Sequence, residues 1–132
     1  MGYLAILLCA VASMIIGSLW YGPLFGKTWM KLQGFTKQDI EKGKKMNMAP
    51  YYLVAFVASL ITAYILEWLM NALKVSSIKG ALLLVFLIWL GFYATTLSGS
   101  IIWEGKPAKL YILNVSYWLV SLLVSSAILF YL

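Results

Sequence analysis

The sequence predicts an all-α integral membrane protein: a four-helix bundle with both termini outside and a short cytoplasmic helix in the first loop. Three observations carry this reading. Of 132 residues, 64% are hydrophobic and only 11% charged, where soluble domains carry about 25%. Four apolar runs each reach the roughly 20 residues that cross a hydrocarbon core. The lysines gather in loops one and three, on one side of the membrane.

The runs span about residues 3–21, 49–73, 80–102 and 109–132, within a single domain covering 1–132. Continuous apolar stretches of this length are not strands, and in lipid only helices or closed barrels satisfy the backbone. The first run is not expected to be a cleavable signal: no Lys or Arg precedes it, and it is too long for an h-region. Loop one carries Lys27, Lys31, Lys37, Lys42, Lys44 and Lys45; loop three and its edge carry Lys106 and Lys109. Only Lys74 and Lys79 lie on the other side, so eight of the ten lysines share one face. The positive-inside rule places that face in the cytoplasm and the protein in the cytoplasmic (inner) membrane.

Within loop one, Thr36 followed by Asp39 comes close to a capping box, and predicts a short helix from Lys37 to Lys45. Pro50 falls in the first turn of the second span, where its missing N–H costs nothing. Gly105 and Pro107 supply the third turn, and Pro23 is expected to end the first helix. Aromatics including Trp20, Tyr21, Phe25, Trp29, Tyr51 and Tyr52 read as an interfacial belt. Trp89 and Trp118 lie near mid-span. Their indole N–H groups need partners, which turns them toward the bundle.

Composition excludes several chemistries. There is no His and no Arg, so His-held heme, His-type zinc and Ser-His-Asp catalysis are absent. Cys9 is the single cysteine, so neither an intrachain disulfide nor a thiolate cluster forms. No cofactor and no metal is expected. The net charge of +6 is topological rather than a nucleic-acid footprint.

Small residues mark helix contacts where lipid removes the hydrophobic drive. Cys9, Ser13 and Gly17 recur every four residues, as do Ala55, Ser59 and Ala63, and Gly91, Thr95 and Gly99. A polar cleft is expected between spans three and four, with Thr95 and Ser98 opposite Asn114 and Tyr117, and with Ser18 and Tyr21 beside them. Interhelical hydrogen bonding alone accounts for the same residues. Ser121 and Ser125 continue the Asn114 face.

Glu67 is the one carboxylate inside a span. It reads either as snorkelling to the outer interface or as a protonatable or substrate-binding group. Asn71 is its nearest helical neighbour, and the N-terminal amine, Lys74 or Lys79 could neutralise it. Glu104 could pair with Lys106, Lys27 or Lys31 and so clasp the two cytoplasmic loops. Trp20, Pro23, Phe25, Gly26, Trp29, Glu104 and Gly105 then form a cytoplasmic corner, with Gly22 and Gly26 admitting the Glu104 loop.

The string Leu19-Trp20-Tyr21-Gly22-Pro23-Leu24-Phe25-Gly26-Lys27-Thr28-Trp29, followed by Trp103-Glu104-Gly105-Lys106-Pro107 and then Asn114 and Tyr117, resembles domain-of-unknown-function family seventeen-sixty-one. This is a prokaryotic family of small four-span membrane proteins. The resemblance covers essentially the whole chain. It implies four helices, no established activity, no cofactor and no catalytic residue. It marks Trp20, Tyr21, Pro23, Phe25, Gly26, Trp29, Glu104, Gly105, Asn114 and Tyr117 as signature positions.

Two functional readings follow, neither of them enzymatic. One is an association module: a homo-oligomer, or an accessory subunit of a membrane complex, partnered by lipid and other membrane subunits. The alternative is a small-solute or ion pathway along the cleft, gated by Glu67. A lipid-active enzyme is a third class, for which no nucleophile–base pair is visible.

Overall fold

The structure, a computed structural model, describes residues 2–132. Six helices are present among them: α1 (Tyr3–Leu24), α2 (Gly26–Gln33), α3 (Lys37–Lys45), α4 (Ala49–Ala72), α5 (Ile78–Ile102) and α6 (Ala108–Tyr131). The four long ones form a membrane-type bundle. α1 packs between α4 and α6, and α6 packs in turn against α5. Gly2 and Leu132 line one basin at one end of the bundle, called here the terminal end. α2, α3 and the loop before α6 lie at the other, lysine-rich end.

Small residues line the seam between α1 and α6. Along α1 and antiparallel α6, Cys9 donates its thiol to the Ser125 carbonyl at 3.4 Å. One turn on, the Ser13 and Ser121 hydroxyls meet at 3.0 Å. After another turn, a Cβ on Gly17 would stand 3.2 Å from the Tyr117 hydroxyl. Each four-residue step up α1 thus meets one down α6, and Cys9, Ser13 and Gly17 pack as small-residue stripes do. The third stripe behaves otherwise: Gly91 faces open space and Thr95 is exposed.

At the terminal end, Leu66 and Met70 of α4, Ala81 and Val85 of α5, and Leu122 of α6 form one buried cluster. Toward the other end a groove lies between α4 and α5, walled by Ile61, Thr62, Ile65, Ile88 and Tyr93. Leu53, Val54, Ile61, Leu83, Phe92 and Ile112 remain exposed around the bundle. An apolar perimeter of this kind suits lipid, not water.

The Thr36 capping box is complete: Thr36 N–H donates to Asp39 Oδ2 at 2.8 Å, and Asp39 N–H to Thr36 Oγ1 at 3.1 Å. Pro50 occupies the first turn of α4. Gly105 takes a left-handed φ of +65° in the last turn.

Two features of loop one correct the sequence reading. Pro23 does not end α1 outright. It sits inside a wide turn, Trp20–Leu24, with Gly22 at non-helical φ −112°, ψ −107°. Proline lacks an N–H and crowds the carbonyl four residues back, so a kink and a widened turn replace a stop. The chain then re-forms a helix at once. α2 runs to Gln33 and closes with Gly34 at φ +79°, its N–H on the Lys31 carbonyl and that of Phe35 on the Met30 carbonyl.

Candidate functional site

A line of aromatic rings ties the kink to the bundle. Phe35 meets Trp29 (centroids 5.2 Å apart), Trp29 meets Tyr21 (5.6 Å), and Tyr21 meets Tyr117 (5.3 Å). Tyr117 then meets Trp118 (4.9 Å), and Trp118 meets Tyr93 of α5 (5.4 Å). Trp20 packs on Phe25 at 4.9 Å and donates its indole N–H to the Leu113 carbonyl at 3.0 Å. Trp20 and Tyr21 are therefore hydrogen-bonded within the protein, and Trp29 packs on Tyr21 and Phe35. The kink brings this about, because it folds α2 back against α6.

Two polar contacts position the site. Tyr21 donates its hydroxyl to Asn114 Oδ1 at 2.7 Å. Tyr117 reaches the Ser13 carbonyl at 3.4 Å. Beside them lies a cleft of about 480 Å³, walled by Ser13, Gly17, Ser18 and Tyr21 of α1, Tyr52 and Ala55 of α4, and Tyr117 and Trp118 of α6. A smaller space of about 120 Å³ shares Ser13, Ala55, Tyr117 and Trp118, and continues to Ser59, Thr62, Ser121 and Ser125. Beyond it, Ile6, Cys9 and Ala63 form a buried apolar layer. No charged side chain lines either space.

The cleft therefore lies between α1, α4 and α6, not between spans three and four. Ser18, Tyr21 and Tyr117 line it, and Asn114 is held behind it by Tyr21. Thr95 and Ser98 are elsewhere. Thr95 donates to the Gly91 carbonyl, Ser98 to that of Thr95, and Ser100 to that of Leu97. The reason is local: α5 widens at Trp89–Ala94 and breaks at Ser98. Its loosened carbonyls need donors that lipid cannot supply. Trp89 faces the bundle as expected and donates to the Val115 carbonyl at 2.7 Å.

The corner residues also rearrange. Glu104 is exposed and makes no ion pair among the described residues, where Lys44–Glu41 at 3.9 Å is the single pair. The clasp between the loops comes instead from Lys106, whose ammonium donates to the Gln33 carbonyl at 3.2 Å. Gly22 has no neighbour in reach. Gly26 is needed because a Cβ there would stand 2.7 Å from the Tyr21 carbonyl oxygen. It makes room for the chain's own kink, not for the Glu104 loop.

Tyr52, Ala55 and Ser59 of α4 are site residues that the sequence reading assigns to a belt or to packing, and Thr62 is one that it leaves out. Their spacing puts them on one helical face, and that shared face was the available signal. A second basin, of about 320 Å³, lies at the terminal end around Glu67. Lys74 and Lys79 do not line it. The N-terminal amine belongs to Met1, outside the described residues.

A family model described as "Protein of unknown function (DUF1761)" matches residues 4–130. The chain belongs to the DUF1761 family. No curated protein and no solved structure matches it. In this DUF1761 chain the Leu19–Trp29 string builds the kink, the ring line and one wall of the cleft, while Asn114 and Tyr117 supply the opposite wall and its support. Among the described residues no cluster of His, Cys, Asp or Glu is placed to hold a metal ion.

Proposed function

We propose that this DUF1761 protein acts without catalysis, admitting a small uncharged polar solute into the cleft between α1, α4 and α6. The observation that carries the reading is the lining. Ser13, Ser18, Tyr52, Ser59, Tyr117 and Ser121 set hydroxyls among the apolar walls of Met14, Ala55, Ala58 and Leu122, Tyr21 turns its own to Asn114, and no charged group accompanies them. Hydroxyls both donate and accept, which suits a solute bearing alcohol, amide or carbonyl groups. A charged solute would shed water with no counter-charge to meet it. The lysine bias supports a mouth on the cytoplasmic side, with the termini outside. Passage across the cell membrane then requires the Ile6–Cys9–Ala63 layer to part.

The test is solute flux. Proteoliposomes are exposed to glycerol, urea or erythritol gradients, and reswelling is followed by light scattering. Reswelling faster than in empty vesicles, and slowed by Ala55→Leu, supports the reading. Rates equal to empty vesicles for all three probes reject it.

Self-association is a second reading, supported by the outward-facing Gly91 and Thr95 of α5. Such a surface admits close approach of another helix. Photobleaching steps in nanodiscs would count the copies, and Gly91→Leu would lower that count if this face is used.

A further inference from the structure

We propose that the basin at the terminal end is a second site, one that takes an ammonium group with Glu67 as its counter-ion. The Glu67 carboxylate is held in place: Oε1 accepts the Gly2 N–H at 3.3 Å, where α1 begins. Its other oxygen, Oε2, is shielded from solvent and has no hydrogen-bond partner among the described residues. A carboxylate oxygen withdrawn from water with nothing donating to it is costly, and more so within a span. A ligand that donates N–H and carries positive charge removes that cost.

The surroundings narrow the class. The basin holds about 320 Å³, far more than a bare ion requires, and no lysine lines it. Asn71, one turn along α4, offers an amide oxygen. Phe130 supplies an aromatic ring and Met70 an apolar wall. A carboxylate, an amide and an aromatic ring together suit an alkylammonium group, since rings attract organic cations. A hard metal ion wants six or more oxygens, and no such set is present among the described residues. The ammonium can come from a free amine or from an ethanolamine lipid headgroup. This site does not depend on the cleft, from which the Ile6–Cys9–Ala63 layer separates it.

The experiment labels the wild-type chain in nanodiscs with dicyclohexylcarbodiimide, a hydrophobic reagent for shielded carboxyls. Modification of the Glu67 peptide is read by mass spectrometry as the sum of the N-acylurea adduct and any amide formed when an amine captures the activated carboxyl, so that only protection lowers it, with exposed Asp39, Glu41 and Glu104 as references. In phosphatidylglycerol discs, ethanolamine hydrochloride is compared with sodium chloride at equal ionic strength. A second arm replaces the lipid with phosphatidylethanolamine. A several-fold loss of Glu67 labelling with ethanolamine but not sodium identifies a free amine. The same loss in phosphatidylethanolamine discs alone identifies the headgroup. Unchanged labelling in both arms overturns the proposal and leaves Glu67 as a cap on α1. As a further check, Glu67→Gln keeps an acceptor for Gly2 and removes the charge. Thermal stabilisation by ethanolamine should vanish in that variant, and its persistence would also overturn the proposal. If Glu67→Gln does not fold, the wild-type labelling still decides.

Discussion

Tyr21 and Asn114 lock α1 to α6 with a 2.7 Å hydrogen bond just behind the cleft wall. Both side chains are part-buried, so each leaves the other without its partner inside the bundle when it is removed. Hydrogen bonds between membrane helices average about 0.6 kcal/mol and reach about 1.7. A double-mutant cycle of Tyr21→Phe and Asn114→Ala should give a coupling of about 1 kcal/mol, near the middle of that range. Reversible unfolding of the solubilised protein in dodecyl sulfate measures it. Additive effects would mean that the two residues act separately.

The glycines should separate sharply. A Cβ at position 26 would meet the Tyr21 backbone carbonyl oxygen at 2.7 Å, which cannot move without undoing the kink. Gly26→Ala should therefore cost about 1–3 kcal/mol, as overpacking does. At Gly17 the obstacle is the Tyr117 hydroxyl, at 3.2 Å, and a side-chain end can swing aside at smaller cost. Gly43 lies inside exposed α3 with nothing within 4 Å, and Gly43→Ala should stabilise that helix by up to about 1 kcal/mol. Melting temperatures in one detergent should rank Gly43→Ala above wild type, then Gly17→Ala, then Gly26→Ala.

The frame of four spans was legible because length and apolarity answer directly to bilayer thickness. α3 was legible from the Thr36 and Asp39 cap, and Trp89 from the needs of its indole N–H. The neighbour across the cleft was not. Periodicity names the face on which Asn114 and Tyr117 lie, but not which span meets it, and Ser13 and Tyr21 meet it rather than Ser98. The α5 hydroxyls misled because a widened turn has no compositional signature, and they serve their own helix's carbonyls. α2 was hidden by Pro23, which suggested a stop where the chain only kinks. Gly34, its left-handed terminator, was the overlooked sign.

α3 should respond to acid through Asp39. The Thr36 backbone N–H, and then the Thr36 hydroxyl, hold the Asp39 carboxyl below its ordinary value of 3.8. With the folded pKa below the unfolded one, ionised Asp39 supports the cap at neutral pH. That support fades as pH falls from 3.8 through the lower folded value. Backbone NMR shifts of residues 37–45 in the whole protein should move toward coil over that window. Asp39→Asn should remove the acid response. A response that survives the substitution would assign it to another group.

Two hydrogen bonds between α5 and α6, one donated from each, brace the widened turn of α5. Trp89 opens the turn and donates to the Val115 carbonyl at 2.7 Å; Tyr111 donates to the Ala94 carbonyl, where the turn closes, at 2.6 Å. A wide turn carries one residue more than the regular helix around it. Losing it rotates everything beyond by about 100°, the angle per residue at 3.6 residues per turn. The Trp89→Phe, Tyr111→Phe double variant removes both donors, so α5 should relax toward a regular helix. Thr96, exposed in the native fold, reports the rotation. In a Cys9→Ala background, Thr96→Cys should react readily with a lipid-soluble maleimide, and several-fold more slowly once both donors are gone. Tyr111→Phe alone should give an intermediate rate, because the Trp89 bond still holds the start of the turn. An unchanged rate in the double variant would mean that packing of α5 on α6, through buried Val85 and Leu122, sets the turn without help from the two donors.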